Sequence, residues 1–398
     1  MNEYTEPNFS WAMAARSESK LSSLKDELGN KAQNVPILIA DSFNQESLQV
    51  LCNRAEVIIS TVGSYALYGE LLVKLCALSG TDYCDLTGEA QWIKRMVERY
   101  ENEAKASGAR IVHSCGFDSI PSDLGVKFLQ DLAQENFGAY CNHVKMRVKA
   151  TKGGASGGTI ASALNLVQEA AKEPSLRQEL KDPYSICPLG HRFKARQKTV
   201  AVEYDEDFNS WVGPFLMAAI NQRIVLRTNA LLSRPYDLDF TYNEGTLTGH
   251  GREGEKRAKR LSTMSRIGMI GIALSPIRWL ATKFFLPKPG EGPSLEQQEK
   301  GFFDLRFFGS NDQGGKIIVK VTGDKDPGYG ATAKMLAQAG ISLCRDVDKG
   351  SLPGGFWTPA SVFGARLFER LQAHAGMTFE VLSVLNPQSQ HDNVTDMD

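Results

Sequence analysis

Two short stretches gather side chains able to do chemistry. The run His113-Ser114-Cys115-Gly116-Phe117-Asp118-Ser119-Ile120-Pro121-Ser122-Asp123 puts a thiol, a carboxylate, hydroxyls and a ring just before a helix-like segment. In Ile59-Ser60-Thr61-Val62-Gly63-Ser64-Tyr65 the small residues let a flat cofactor lie against the backbone, and the hydroxyls are available to ribose or phosphate. A proton donor must reach the atom it serves. Tyr65, Tyr68, Asp118 and Ser119 are the candidates for that role. The first stretch also has a plainer reading as a capped turn, in which Ser122 or Asp123 caps a helix, Phe117 packs and Asp118 makes an Asx-turn. As a nucleophile Cys115 would need a base, and only His113, on the same face of the strand, is near in sequence. The six histidines show no H-x-x-x-H or H-E-x-x-H pattern, so no metal is expected.

These loops need elements to hold them. The first third alternates strand-like runs (9–15, 35–40, 56–61, 82–86, 110–114) with helix-like ones (18–28, 45–53, 68–78, 89–107, 122–134). Short apolar strands separated by helices imply a parallel sheet covered on both faces, which binds ligands at the C-terminal ends of its strands. Both chemical stretches fall at that edge. From about Asn142 the rhythm changes. Strand-like Val144–Ala150, Tyr236–Tyr242, Phe302–Phe308 and Lys316–Thr322 mix with helical 160–172, 215–232, 252–264 and 330–343, which predicts an α+β domain rich in antiparallel strands. The boundaries expected are 1–141, 142–325, a helical return to the first domain over 326–385, and a disordered polar tail, 386–398. Pro287–Pro293 reads as a loop or linker.

Three glycine- or arginine-bearing motifs are ambiguous. Arg16 and Ser17 end the first strand where Arg can pair an adenosine 2′-phosphate, or where Ser17 simply caps a helix. The only G-x-G-x-x-G, Gly249–Gly254, lacks an acidic residue about 20 positions on and a second parallel strand, and reads as a flexible loop. Gly153–Gly158 either cradles an anion or marks a close backbone approach.

With 398 residues the chain has room for two or three domains and a large core. A hydrophobic share of 42%, a charged share of 23% and a net charge of −1 describe a globular protein with no bulk charge for a polyanion, so no nucleic-acid partner is expected. Seven cysteines without ligand-like spacing suit a reducing compartment. No secretory signal or uninterrupted apolar span is visible. The nearest approach, Met264–Leu286, is broken by Arg266, Pro276, Arg278 and Lys283.

The runs TVGSYALYGELLVKLCALSGTDYCDLTGEAQWIKRM (61–96) and ARIVHSCGFDSIPSDLG (109–125) resemble the saccharopine dehydrogenase-like oxidoreductases, and most of all their trans-acting enoyl reductase branch. SGGTIAS (156–162), LPKPGEGP (286–293), GDKDPGYGATAKM (323–335) and GGFWTPAS (354–361) match the same family, so the resemblance spans about Phe9 to Thr378. It implies an α/β fold: a Rossmann-type NADP-binding domain beside the α+β substrate domain. Arg16 and Ser17 would face the adenosine phosphate, Ser60, Thr61, Val62 and Gly63 would line the cofactor, and Cys115, Gly116, Phe117, Asp118 and Ser119 would lie toward the nicotinamide. The implied reaction is hydride transfer from NADPH to an acyl or lipid-like C=C, with C=N the lesser choice. A cytoplasmic protein is expected, open to homodimerisation and to peripheral membrane contact through Met264–Leu286; a buried helix pair broken at Pro276 is the alternative for that segment. Relatives open with a strand, a G-x-T-G-F-x-G loop and a helix, roughly 30 residues not seen here, and that strand is central in the sheet. Its loss leaves a gap between two parallel strands, each buried orphan costing ~1–3 kcal/mol. Two explanations stand: a chain lacking its native start, or a degenerate paralogue that serves as an inert scaffold at lipid surfaces. Ser64, where the family prefers Pro, is a smaller departure.

Overall fold

The computed structural model describes residues 9–154, 157–273 and 292–386. The first part runs β1 (Met13–Ala15), α1 (Glu18–Leu28), β2 (Ile37–Ile39), α2 (Gln45–Arg54), β3 (Val57–Ser60), α3 (Tyr65–Tyr68), α4 (Glu70–Ser79), β4 (Asp82–Asp85), α5 (Ala90–Ser107), β5 (Arg110–Val112) and α6 (Ile120–Phe137). It continues with β6 (His143–Lys152), α7 (Gly157–Lys172), α8 (Pro174–Glu179), β7 (Glu203–Asp205), β8 (Ser210–Gly213), α9 (Ala218–Leu231), β9 (Thr241–Gly249) and α10 (Gly251–Ala273). The last part is α11 (Leu295–Glu299), β10 (Phe302–Ser310), β11 (Lys316–Gly323), α12 (Gly330–Arg345), β12 (Gly355–Trp357), α13 (Pro359–Phe363), α14 (Ala365–His374) and β13 (Met377–Leu385). Local signals set several boundaries. Ser17 accepts the Lys20 N–H at 3.3 Å to start α1, and Asn44 accepts the Ser47 N–H at 2.9 Å to start α2. Gly108, at φ 82°, ends α5 in the left-handed conformation open to glycine.

β3, β4 and β5 form a parallel sheet, extended beyond β5 by the distant β12. β1 and β2 pair in parallel as a separate two-stranded piece, and no ladder joins β1 to β3 among the described residues. The break falls where the resemblance puts an additional central strand. It leaves β3 residues Val57, Ile58 and Ile59 only part-buried, whereas all of β4 and β5 is buried. Packing of α2 on α4 carries the β1–β2 piece: the Cys52 and Cys76 sulfurs lie 3.8 Å apart, and the Thr81 hydroxyl donates to the Cys52 carbonyl at 2.9 Å.

The second sheet has seven strands in the order β13-β11-β10-β6-β9-β8-β7, antiparallel throughout except for β6 beside β9. β10 and β11 make the expected hairpin, Ser310 opposite Lys316. The strand expected over Tyr236–Tyr242 instead begins at Thr241. Asp237 has φ 78°, and the Asn229 side chain binds the Tyr236 N–H and the Asp237 carbonyl, which holds that stretch in a turn. The 326–385 region contains strands as well as helices: β12 joins the parallel sheet, and β13 pairs with β11. α12 lies over β3 and β4, where a Cβ on Gly340 would meet Ile59 at 2.4 Å. The G-x-G-x-x-G is a tight β9–α10 junction, since a Cβ at Gly254 would sit 2.1 Å from the Gly249 carbonyl. Of Met264–Leu286, residues 274–286 lie outside the described ones; Met264, Ile267 and Met269 on α10 are exposed. The linker expected over Pro287–Pro293 is described only from Gly292, and the tail expected over 386–398 only at Asn386. No helix among the described residues is long and apolar enough to cross a membrane.

Candidate functional site

A cavity of about 590 Å3 lies at the C-terminal edge of β3, β4 and β5. Thr61, Gly63 and Tyr65 reach it from the loop after β3 and the start of α3, Leu86, Gly88, Glu89, Ala90 and Gln91 from the loop after β4 and the start of α5, and Asp118 from the loop after β5. The opposite walls come from α7, α9 and α12. Apolar side chains such as Leu166, Leu180, Ile220 and Leu336 dominate these walls. An apolar cavity with few convergent polar groups suits an apolar ligand held in one orientation.

Of the two carboxyls that line the cavity, Asp118 has the fewer commitments. Its carboxyl is mostly buried, makes no hydrogen bond or ion pair among the described residues, and is pushed up to about 7 by desolvation alone. Gly88 faces it, and a Cβ there would come within 3.3 Å of Oδ2. The loop carrying Asp118 is fixed on both sides. The Phe117 N–H donates to the Thr332 hydroxyl at 2.9 Å, and the Phe117 ring packs on Phe303 at 5.0 Å. Gly116 fits between Thr332 and Leu86, which a Cβ would approach to 3.1 and 3.2 Å.

Tyr65 and Glu89 are tied down instead. The Tyr65 hydroxyl donates to the Ser60 carbonyl at 3.0 Å and accepts from the Leu86 N–H at 3.4 Å; burial holds the phenol well above its usual range. The Glu89 carboxylate accepts the Tyr65 and Ala66 N–H groups at 2.8 and 3.1 Å and the Ser162 hydroxyl at 2.7 Å. Burial raises its pKa against those three bonds. Glu89 thus joins the β3 loop to α7 across the cavity wall.

The remaining candidates lie apart from the cavity. Ser119 donates to Asn221 at 3.1 Å, and Asn221 in turn donates to Glu244 at 2.9 Å, which also accepts from the Tyr242 hydroxyl at 2.6 Å. Cys115 is fully buried, with its sulfur 3.6 Å from the Val112 carbonyl and its thiol pushed well up by burial, so it is no nucleophile. His113 donates or accepts through Nδ1 at 2.8 Å to Asp85, inside a cluster of Tyr83, Trp92 and Phe356 rings. Ser60 is buried, Val62 exposed, and exposed Tyr68 rests edge-on against Phe43. Arg16 is exposed at the end of β1, and Ser17 is the cap of α1. Gly153 has the close-approach role: a Cβ there would overlap Asp326 Oδ1 at 2.0 Å, and that oxygen accepts the Gly154 N–H at 2.9 Å.

Glu89, Ser162, Thr332 and Arg223 escape sequence reading. All four sit in unremarkable surroundings in the chain, and only the fold brings them to one cavity.

No family model matches the chain. A Mycobacterium tuberculosis protein named as a trans-acting enoyl reductase is 37% identical over 385 residues, covering 93% of this chain and 90% of its own. The trans-acting enoyl reductase of Mycobacterium ulcerans is 33% identical over 90% of this chain and 88% of its own. Among solved structures, apo saccharopine dehydrogenase (L-Glu forming) from Saccharomyces cerevisiae shares the fold, with a TM-score of 0.52 over 95% of both chains at 12% identity.

Proposed function

From its membership of the trans-acting enoyl reductase family, within the saccharopine dehydrogenase-like fold, we propose that this chain is an NADPH-dependent oxidoreductase reducing the C=C bond of an acyl, lipid-like substrate. The observation that carries the reading is Asp118: a carboxyl that keeps its proton near neutral pH, faces an apolar cavity and has no other partner among the described residues. The cofactor fits at the nicotinamide end. The turn at Thr61 and Gly63 opens on the cavity, and a Cβ on Gly63 would meet only the Tyr65 ring, at 3.8 Å. The exposure of Arg16 at the end of β1 supports a part for its guanidinium in selecting a 2′-phosphate, and so NADP over NAD.

When bound, the nicotinamide supplies the hydride equivalent. The protein's share is the proton and the orientation. Asp118 gives its proton to the carbon alpha to the carbonyl and remains as a carboxylate, to be reprotonated from solvent. Leu166, Leu180 and Ile220 hold the acyl chain and keep water out. Glu89 acts through position: by gripping the Tyr65 and Ala66 amides and Ser162, it holds the two sides of the cavity together.

The test is NADPH oxidation with a trans-2-decenoyl thioester, the product identified by mass spectrometry. Saturated product is expected with one solvent deuteron at the alpha carbon, and D118N is expected to lose at least 100-fold in kcat with NADPH affinity unchanged. A second reading, a scaffold without tight cofactor binding, draws on the break between β1 and β3. It predicts no oxidation and no NADPH-dependent rise in Tm.

A further inference from the structure

Arg223 on α9 is a buried cation that reaches the same cavity. The residue is only 5% exposed. Nε donates to the Ser185 hydroxyl at 3.2 Å, one terminal nitrogen to the Ala219 carbonyl at 2.6 Å, and the other to the Leu180 carbonyl at 2.6 Å. Every one of these partners is neutral. Two other buried arginines have a carboxylate each: Arg110 pairs with Asp82, and Arg147 with Asp205 at 2.7 Å. Around Arg223 the acidic groups are engaged elsewhere, Glu179 with Lys94 at 2.8 Å and Asp182 with the Tyr184 N–H at 2.9 Å. Asp182 and Glu179 act on it only through space, and a guanidinium with three of its five N–H groups engaged still has two to offer.

We propose that Arg223 is the anion anchor of the cavity, the residue that takes an anionic oxygen group on the ligand, a carboxylate or a phosphate. The inference rests on reading this cavity as the acyl site and adds the chemistry of the ligand's polar end. Its guanidinium bonds back to the Ala219 carbonyl on α9, and Met217, just before that helix, lines the same cavity with its methyl group beside Gly88, which the Asp118 carboxyl also borders. One end of the ligand is thereby fixed by charge while Asp118 addresses the chain beyond it. Arg227, one turn further along α9, supplies the control. It too is buried with only carbonyl partners, Ile186 and Phe356, but it does not line the cavity.

The test is calorimetric binding, without NADPH, of trans-2-decenoate, decyl phosphate and the neutral trans-2-decen-1-ol. The wild-type protein is expected to bind at least one anion tenfold or more tightly than the alcohol, and which anion wins identifies the ligand class. R223Q should bring anion and alcohol within twofold of each other with the alcohol's Kd unchanged, while R227Q should lower Tm and keep the preference. Equal binding of all three by the wild type, or an undiminished preference in folded R223Q, overturns the proposal; the wild-type comparison decides even if R223Q does not fold. Binding is read without turnover, so an anion preference in a protein that reduces nothing would remove the reductase reading and leave this one standing.

Discussion

Asp118 and Tyr65 face one cavity from neighbouring loops, yet they differ as acids. The Tyr65 proton is given to the Ser60 carbonyl, and burial holds it in place; the Asp118 proton has no acceptor among the described residues until a ligand arrives. Y65F should therefore retain deuterium transfer to the alpha carbon, with kcat lowered no more than about fivefold, a small effect beside loss of a proton donor, which is worth ~100-fold or more. Its stability should fall by ~1–3 kcal/mol, because the Ser60 carbonyl loses a buried donor. Urea unfolding beside a turnover assay checks both numbers, and a 100-fold loss of kcat in a stable Y65F would move the proton-donor role to the tyrosine. The sequence leaves Asp118 open between a proton donor and an Asx-turn, because both use the same residue at the same place. What decides against that reading is a missing hydrogen bond, which no spacing reveals.

At the level of elements, α1 is bounded as its pattern implies because Ser17 and Gly29 mark its ends, and the parallel strands are legible as apolar runs between helices. β12 and β13 are not legible. β12 has only three residues, the alternation of nine-residue β13 breaks at the exposed run Glu380–Leu382, and their partners β5 and β11 lie far away in the chain. The Asp82–Arg110 pair belongs to this scale as well. Arg110 binds Asp82 through Nε and Nη2, and donates as well to the carbonyls of Val347 (Nη1, 2.6 Å) and Leu343 (Nη2, 2.9 Å), so one side chain ties β4 and β5 to the end of α12. R110A leaves the Asp82 charge buried beside only the more distant Lys349, 3.6 Å from the carboxylate. A cost of ~3–5 kcal/mol is expected. Thermal unfolding checks this, and a Tm within a degree of wild type would show the pair to be dispensable.

Across the whole molecule, the cavity exists because the chain returns. The parallel sheet contributes three loops, α7 and α9 belong to the second unit, and α12 comes back to lie over β3 and β4 while Asp326 at its start grips Gly154. Neither sheet alone encloses a ligand, which is why residues such as Ser162 and Arg223 carry no functional signal in the sequence. The same enclosure sets the pH behaviour. Asp118, Asp123 and Glu244 are all raised to about 7 by burial, so the folded protein holds protons that the unfolded chain, with carboxyls near 4, has released, and stability should decline as pH rises from about 4 to 7. Of the three, only Asp118 lines the cavity. Its proton is present below pH 7 and lost above it. The most direct measurement is therefore kcat/KM for decenoyl thioester reduction from pH 5.5 to 9 in the wild type and in D118N, with folding followed across the same range. The account predicts a wild-type rate that falls about tenfold per unit above a midpoint near 7, and a low, flat profile for D118N. A wild-type rate independent of pH across that range, or the same falling limb in D118N, would contradict it.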